Sequence, residues 1–194
     1  YSAASSRPPP PMLILVDQDN VLADFDAGFL AAWRAAHPQA PYVTAERRRA
    51  WNPRDDLPPG LRAAAMQVYS EPGFFRGLPP IPGGREALEA MLALGWNVRI
   101  CTSPIEQYQN CVAEKFAWVE AHLGAAWCRR IVLTADKTVV HGDWLIDDKV
   151  EITGSHAPSW RHALFDAHHN RHVSHPRRID WNNWREVLGA PRAR

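Results

Sequence analysis

An α/β fold, built on a parallel sheet flanked by helices with a small helical cap inserted after the first strand, is predicted by three observations. Short apolar runs at residues 13–16, 131–133 and 144–146, and an alternating stretch at 98–101, each break off at polar or acidic residues. Stretches with helical spacing of apolar residues lie between them. About eighty residues separate the first run from the second, far more than the roughly thirty of a simple strand–helix–strand crossover, so an insert must occupy that interval.

The first strand is Leu13-Ile14-Leu15-Val16. A continuous apolar run bounded by a polar turn reads as a buried strand, and open α/β sheets bind ligands beyond the carboxyl ends of their strands. Asp17 and Asp19 lie there. Alternate side chains of an extended segment point the same way, so both carboxylates can face one small volume while Gln18 points elsewhere. Two such anions repel unless a cation or a shared proton relieves them. Mg²⁺ suits, since it takes oxygen ligands and keeps part of its water. Alone, Asp-x-Asp is a weak signal, and a solvated turn explains it at least as well.

Within the insert, residues 26–36 carry Phe29, Leu30 and Trp33 on one helical stripe and stop before Pro38. A second helix is predicted over 61–69 from Leu61, Ala65 and Val68. Residues 26–76 thus form the cap, and 12–25 with 77–194 the core. A helix follows over 83–95, with Leu88, Met91 and Leu92 inward and Gly95 as its stop. The second strand ends in Thr102 and Ser103, with Pro104 starting a helix. Those hydroxyls would sit where helix N–H groups hold a phosphate, although a simple N-cap accounts for the same residues. Residues 108–123 read as a helix with Val112, Phe116, Val119 and Leu123 inward, closed by Gly124.

The third strand leads to Lys137, either a point charge for a phosphate or a lysine facing water. The fourth ends in Asp147 and Asp148. Adjacent acids there are unfavourable without a cation, which makes Asp148 the natural remaining metal ligand. Residues 163–165 add a fifth strand, and Asp180 caps a last helix through Trp184 and Leu188. Each feature has a structural explanation of its own, but together they fall at strand ends in an order that makes one site.

That order, Asp-x-Asp, Thr-Ser, Lys, Asp-Asp, resembles the haloacid dehalogenase (HAD) superfamily of phosphotransferases. Residues 15–25, 100–104, 114–120, 136–140 and 145–148, with Pro158-Ser159-Trp160 and His169-Asn170-Arg171-His172, resemble its 5′(3′)-deoxyribonucleotidase family. The resemblance implies a Rossmann-like HAD core, Mg²⁺ as cofactor and a small-molecule nucleoside monophosphate as substrate, hydrolysed to nucleoside and phosphate. It implies that Asp17 is the nucleophile and metal ligand, and that Asp19 is the general acid and base, ligating the metal through its backbone carbonyl. Asp148 would be a further metal ligand supported by Asp147, while Thr102, Ser103 and Lys137 would hold the phosphate. Dimerisation through helical faces belongs to the same expectation.

The family's cap supplies the nucleoside pocket, and Phe25 and Phe75 match positions where it packs aromatic rings near the ligand. Phe74-Phe75 fits a cap core equally well. The chain departs from the family at Arg48-Arg49-Ala50-Trp51-Asn52-Pro53, where Trp51 can stack on a base, Asn52 can bond its edge and Pro53 stiffens the turn. The family's base preference is therefore not carried over. Glu106 stands where the mitochondrial type has a substrate-binding lysine. Asn20 replaces a frequent glycine, which is tolerable because Asn accepts left-handed turns.

With 194 residues and 46% hydrophobic content the chain can bury one full core. Lys and Arg total 22 against 21 acids, so the net charge of +1 gives no basis for binding a nucleic-acid polymer. The histidines between 162 and 175 are irregularly spaced, which favours surface and structural roles over a zinc site. Cys101, Cys111 and Cys128 form no framework and argue for a reducing compartment, the cytoplasm, or the mitochondrial matrix if a leader has been removed. No apolar run is long enough to span a membrane. The Ser/Pro-rich residues 1–11 read as an expression-derived or disordered extension, with Met12 as a natural start. Two other functions stay open: an HAD phosphatase for another small phosphate ester, and a catalytically silent nucleotide-binding protein. Asp17, Asp19, Lys137 and Asp148 together speak against the latter, since a binder needs no nucleophile.

Overall fold

The computed structural model describes residues 11–190. The predicted extension, Pro11 apart, lies outside the described residues. Six strands, β1 (Leu13–Val16), β2 (Asn97–Thr102), β3 (Ile131–Leu133), β4 (Trp144–Asp147), β5 (Arg161–Phe165) and β6 (Arg178–Ile179), form one sheet in the order β3-β2-β1-β4-β5-β6. Every neighbouring pair is parallel. β1 is central, and Val16 is level with Ile100 on one side and Ile146 on the other. The chain moves from β1 to β2 and β3 in one direction and to β4, β5 and β6 in the other. Such a reversal opens a crevice at the carboxyl end of the sheet.

Side chains alternate along β1 as strand geometry requires. Ile14 and Val16 join the main core with Leu88, Met91, Trp118 and Val119, whereas Leu15 packs on the other face with Cys101, Leu145 and Trp160.

The cap follows β1. Helix α1 (Phe25–Ala36) begins where the Asp24 carboxylate accepts the Ala27 N–H at 2.9 Å, an N-cap, and packs against α2 (Arg62–Ser70). Phe29 and Trp33 are buried as the stripe predicts, while Leu30 is half-buried. Phe25, Tyr69, Phe74 and Phe75 make an aromatic cluster with ring centroids 5.2–6.3 Å apart.

Helices α3 (Gly84–Ala93) and α4 (Tyr108–Leu123) fall where their spacing predicts, and α5 (Ala125–Cys128) and α6 (Trp184–Val187) are short. Two expectations need correction. Pro104 does not start a helix, because residues 104–107 form a loop before α4. The buried face of α4 is Cys111, Lys115, Trp118, Val119 and Leu123, and Phe116 is 36% exposed. A lysine in the buried row hides the true stripe and rotates the apparent one.

β6 has only two residues and no signal of its own; it is held by its pairing with Leu164 and Phe165. Asp180 accepts the Asn182 and Asn183 N–H groups at 2.7 and 2.9 Å, fixing the turn into α6. All three cysteines are free thiols, and among the described residues no helix is long and apolar enough to cross a membrane.

Candidate active site

Asp17 extends the ladder past β1, its N–H donating to the Ile146 carbonyl at 2.9 Å. This sets its carboxylate beside the end of β4. Lys137, buried in the turn after β3, places its Nζ 2.8 Å from Asp17 Oδ1 and 2.6 Å from Asp147 Oδ2. Carboxylate oxygens of Asp17, Asp147 and Asp148 all lie within 4.8 Å of one another.

One lysine cannot balance three buried acids. Burial pushes Asp17 upward against the pull of Lys137, with Asp147 adding to the rise. Asp148 is pushed up to about 8, by burial first, against a neighbouring His169 and with repulsion from Asp147 and Asp17 adding to the rise. Burial opposes the charge on Lys137, but Asp147 and Asp17 hold its pKa above the usual lysine range. Without a cation Asp148 therefore retains a proton at neutral pH. An all-oxygen, strongly anionic pocket fits a hard divalent cation.

Asp19 sits in a different setting. The fully buried Lys115 reaches it from α4, with Nζ 2.6 Å from Asp19 Oδ2 and 2.8 Å from Thr102 Oγ1. Burial raises the Asp19 carboxyl, and Lys115 opposes that rise. Ser103 is half-buried directly after Thr102. The strand ends thus bring Asp17, Asp19, Thr102, Lys137, Asp147 and Asp148 together.

The predicted pocket residues lie on the cap side. Phe25 and Phe75 are buried in the aromatic cluster, 5.9 Å apart, and the Phe75 ring centre is 5.1 Å from Lys115 Nζ. Trp51 is 53% exposed, with Lys149 Nζ 4.9 Å from its ring centre, so this cap ring meets the core beside Asp148. Asn52 Oδ1 accepts the Arg54 N–H at 3.1 Å and caps the turn at Pro53–Asp56.

Residues 11–193 match the family model described as 5′ nucleotidase, deoxy (Pyrimidine), cytosolic type C protein. The chain belongs to the 5′(3′)-deoxyribonucleotidase family. A Bordetella pertussis relative is 53% identical over 177 residues, 91% of this chain and 95% of that protein. The human cytosolic-type 5′(3′)-deoxyribonucleotidase is 48% identical over 189 residues, 92% of this chain and 94% of its own. A solved hydrolase from Pseudomonas syringae shares the fold at 11% identity, with a TM-score of 0.52 over 93% of this chain and all 100% of that one. As a deoxyribonucleotidase-family member, the chain is a phosphoric monoester hydrolase.

Sequence reasoning assigned no role to several residues of this deoxyribonucleotidase-family site. Lys115 is one; its signal was a lysine on the same helical face as Cys111 and Trp118. His169 and Asn170 are others. Contrary to a surface role, His169 is buried with Nε2 3.2 Å from the Asp148 carbonyl, and Asn170 Nδ2 donates to that carbonyl at 2.8 Å. A third group links core to cap. Asp26 Oδ2 lies 3.8 Å from His169 Nδ1, and its Oδ1 accepts from the buried Arg48 at 2.6 Å. Arg48 also binds Asp56 at 2.7 Å and the Ala50 and Trp51 carbonyls at 2.8 and 3.1 Å. The loop bearing Trp51 is thereby tied to the segment that carries Asp148.

Proposed function

We propose that this chain hydrolyses (deoxy)nucleoside monophosphates to nucleoside and phosphate through an aspartyl-phosphate, with Mg²⁺ as cofactor. The observation that carries this reading is the pairing of two acids one residue apart with different partners, Asp17 with Lys137 and Asp19 with Lys115. One acid suits covalent work and the other proton transfer.

Asp17 bonds to phosphorus as the ester P–O bond breaks, and the departing oxygen takes a proton from Asp19. Asp19, now a carboxylate, removes a proton from water. That oxygen bonds to phosphorus, the bond to Asp17 breaks, and phosphate leaves. Burial favours the protonated Asp19 of the first half-reaction, and Lys115 favours the ionised Asp19 of the second. Lys137, Thr102 and Ser103 hold the phosphate oxygens, offsetting the repulsion between an anionic nucleophile and an anionic ester. Asp17 and Asp148, with Asp147 beside them and the Asp19 carbonyl as the resemblance implies, would hold Mg²⁺, which when bound supplies charge neutralisation at the phosphoryl group.

A phosphate-release screen over nucleoside monophosphates and sugar phosphates tests this reading. Nucleoside monophosphates are expected to exceed sugar phosphates by at least about tenfold in kcat/KM. Trp51→Ala and Asn52→Ala should change the ratio between bases more than the kcat with phenyl phosphate. A sugar phosphate as best substrate would assign the cap to another ester, and no release from any compound would indicate a silent binder. The three free thiols, two of them buried, fit a cytoplasmic setting.

Lys115→Met is expected to lower kcat by about a hundredfold, through the second half-reaction, which needs Asp19 ionised. Without the ammonium the Asp19 pKa rises further, so the acidic limb of the pH–rate profile moves up and the variant recovers part of its rate as pH increases. A lowered rate with an unmoved limb would leave Lys115 as packing alone.

A further inference from the structure

The cap returns to the core through residues 70–80, and one row of α4 side chains holds this segment. Asn110, Glu114 and Trp118 lie four residues apart, so they share a helix face. Asn110 Nδ2 donates to the Ser70 carbonyl at 3.4 Å, and Trp118 Nε1 donates to the Leu78 carbonyl at 2.8 Å. Between them the Glu114 carboxylate accepts three backbone N–H groups, from Gly73, from Phe75 at 3.0 Å and from Arg76 at 3.3 Å. Hydrogen bonds to an ionised acceptor are the strong kind. The next residue, Lys115, is the one that binds Asp19 and faces the Phe75 ring.

We infer that Glu114 is a positioning residue that sets the cap's return segment, and with it Phe75, against the catalytic acid, and so governs nucleoside binding rather than the chemical step. This rests on the nucleoside-monophosphate reading above. The carboxylate fixes backbone and leaves ring packing to the apolar cluster. Its loss therefore lets the segment shift along α4 while Lys115, one residue on, stays on Asp19. The substrate part that feels such a shift is the nucleoside, because the phosphate is held by strand ends that Glu114 does not touch.

Steady-state kinetics of Glu114→Ala and Glu114→Gln with a nucleoside monophosphate and with phenyl phosphate test this, alongside amide hydrogen exchange. Glu114→Ala is expected to raise KM for the nucleotide about tenfold, with kcat for both substrates changed less than about threefold, and to speed exchange at Gly73, Phe75 and Arg76. Glu114→Gln keeps the shape and one acceptor oxygen, so it should fall between wild type and Glu114→Ala and secures the test if the alanine variant folds poorly. Glu120→Ala, on the exposed side of α4, is the control. Equal loss of kcat on both substrates would mean that Glu114 acts through Asp19, and a lowered melting temperature with unchanged KM would make it a purely structural tie; either overturns the proposal. A wild-type protein that turns over phenyl phosphate and no nucleotide would overturn the functional reading instead, and the exchange data would still report whether the clamp exists.

Discussion

Asp17→Asn is expected to lower phosphate release by at least about ten-thousandfold while leaving the fold intact. The amide has the shape of the carboxylate, so Gln18 N–H, which donates to Asp17 Oδ1 at 2.8 Å, keeps its acceptor, and Lys137 keeps Asp147 at 2.6 Å. The amide cannot form the acyl phosphate. Stability should hold or rise, because burial places the Asp17 pKa above its unfolded value, so ionising this carboxyl in the fold opposes folding. Urea denaturation reads the fold, and a denaturing quench with labelled substrate reads the covalent intermediate. Labelled protein from wild type and none from the variant is the expected pair of results. Residual turnover above about one per cent of wild type would remove Asp17 from the nucleophile role.

The parts of this molecule that announced themselves did so because two signals coincided. Leu13-Ile14-Leu15-Val16 is apolar throughout since β1 is buried on both faces at the centre of the sheet, and the acids beyond it mark the strand's end. The same logic located β2, β3 and β4 and the residues that follow them. Lys115 escaped for the opposite reason: a charged side chain on a buried face subtracts from the apolar pattern, so the periodicity pointed to Phe116 and Val112 instead. Its burial makes sense only with Asp19 and Thr102 as partners, and those come from elements far away in the chain. His169 and Arg48 escaped likewise, since a polar residue in a loop or between other arginines looks solvated until tertiary contacts pair it. β6 was invisible because two residues carry no period.

Removing divalent cations is expected to stop turnover completely and reversibly, and the Mg²⁺ needed to restore it should depend on pH. In the metal-free protein Asp148, pushed up to about 8, carries a proton through the neutral range. A bound cation must displace that proton, so below pH 8 the apparent affinity should fall by up to about tenfold per pH unit. Calorimetry at pH 7 in buffers of different ionisation enthalpy should detect close to one released proton. The same shift fixes the sign for stability. A carboxyl whose folded pKa is raised from 3.8 to about 8 contributes stability that is present below the unfolded value and lost as pH rises through the folded one. The metal-free protein should accordingly weaken between about pH 4 and pH 8 through this group, and the melting-temperature gain from saturating Mg²⁺ should be larger at pH 8 than at pH 6. An affinity independent of pH, with no proton released, would mean that the three acids are already ionised before the cation arrives, and Lys137 alone would then have to neutralise them.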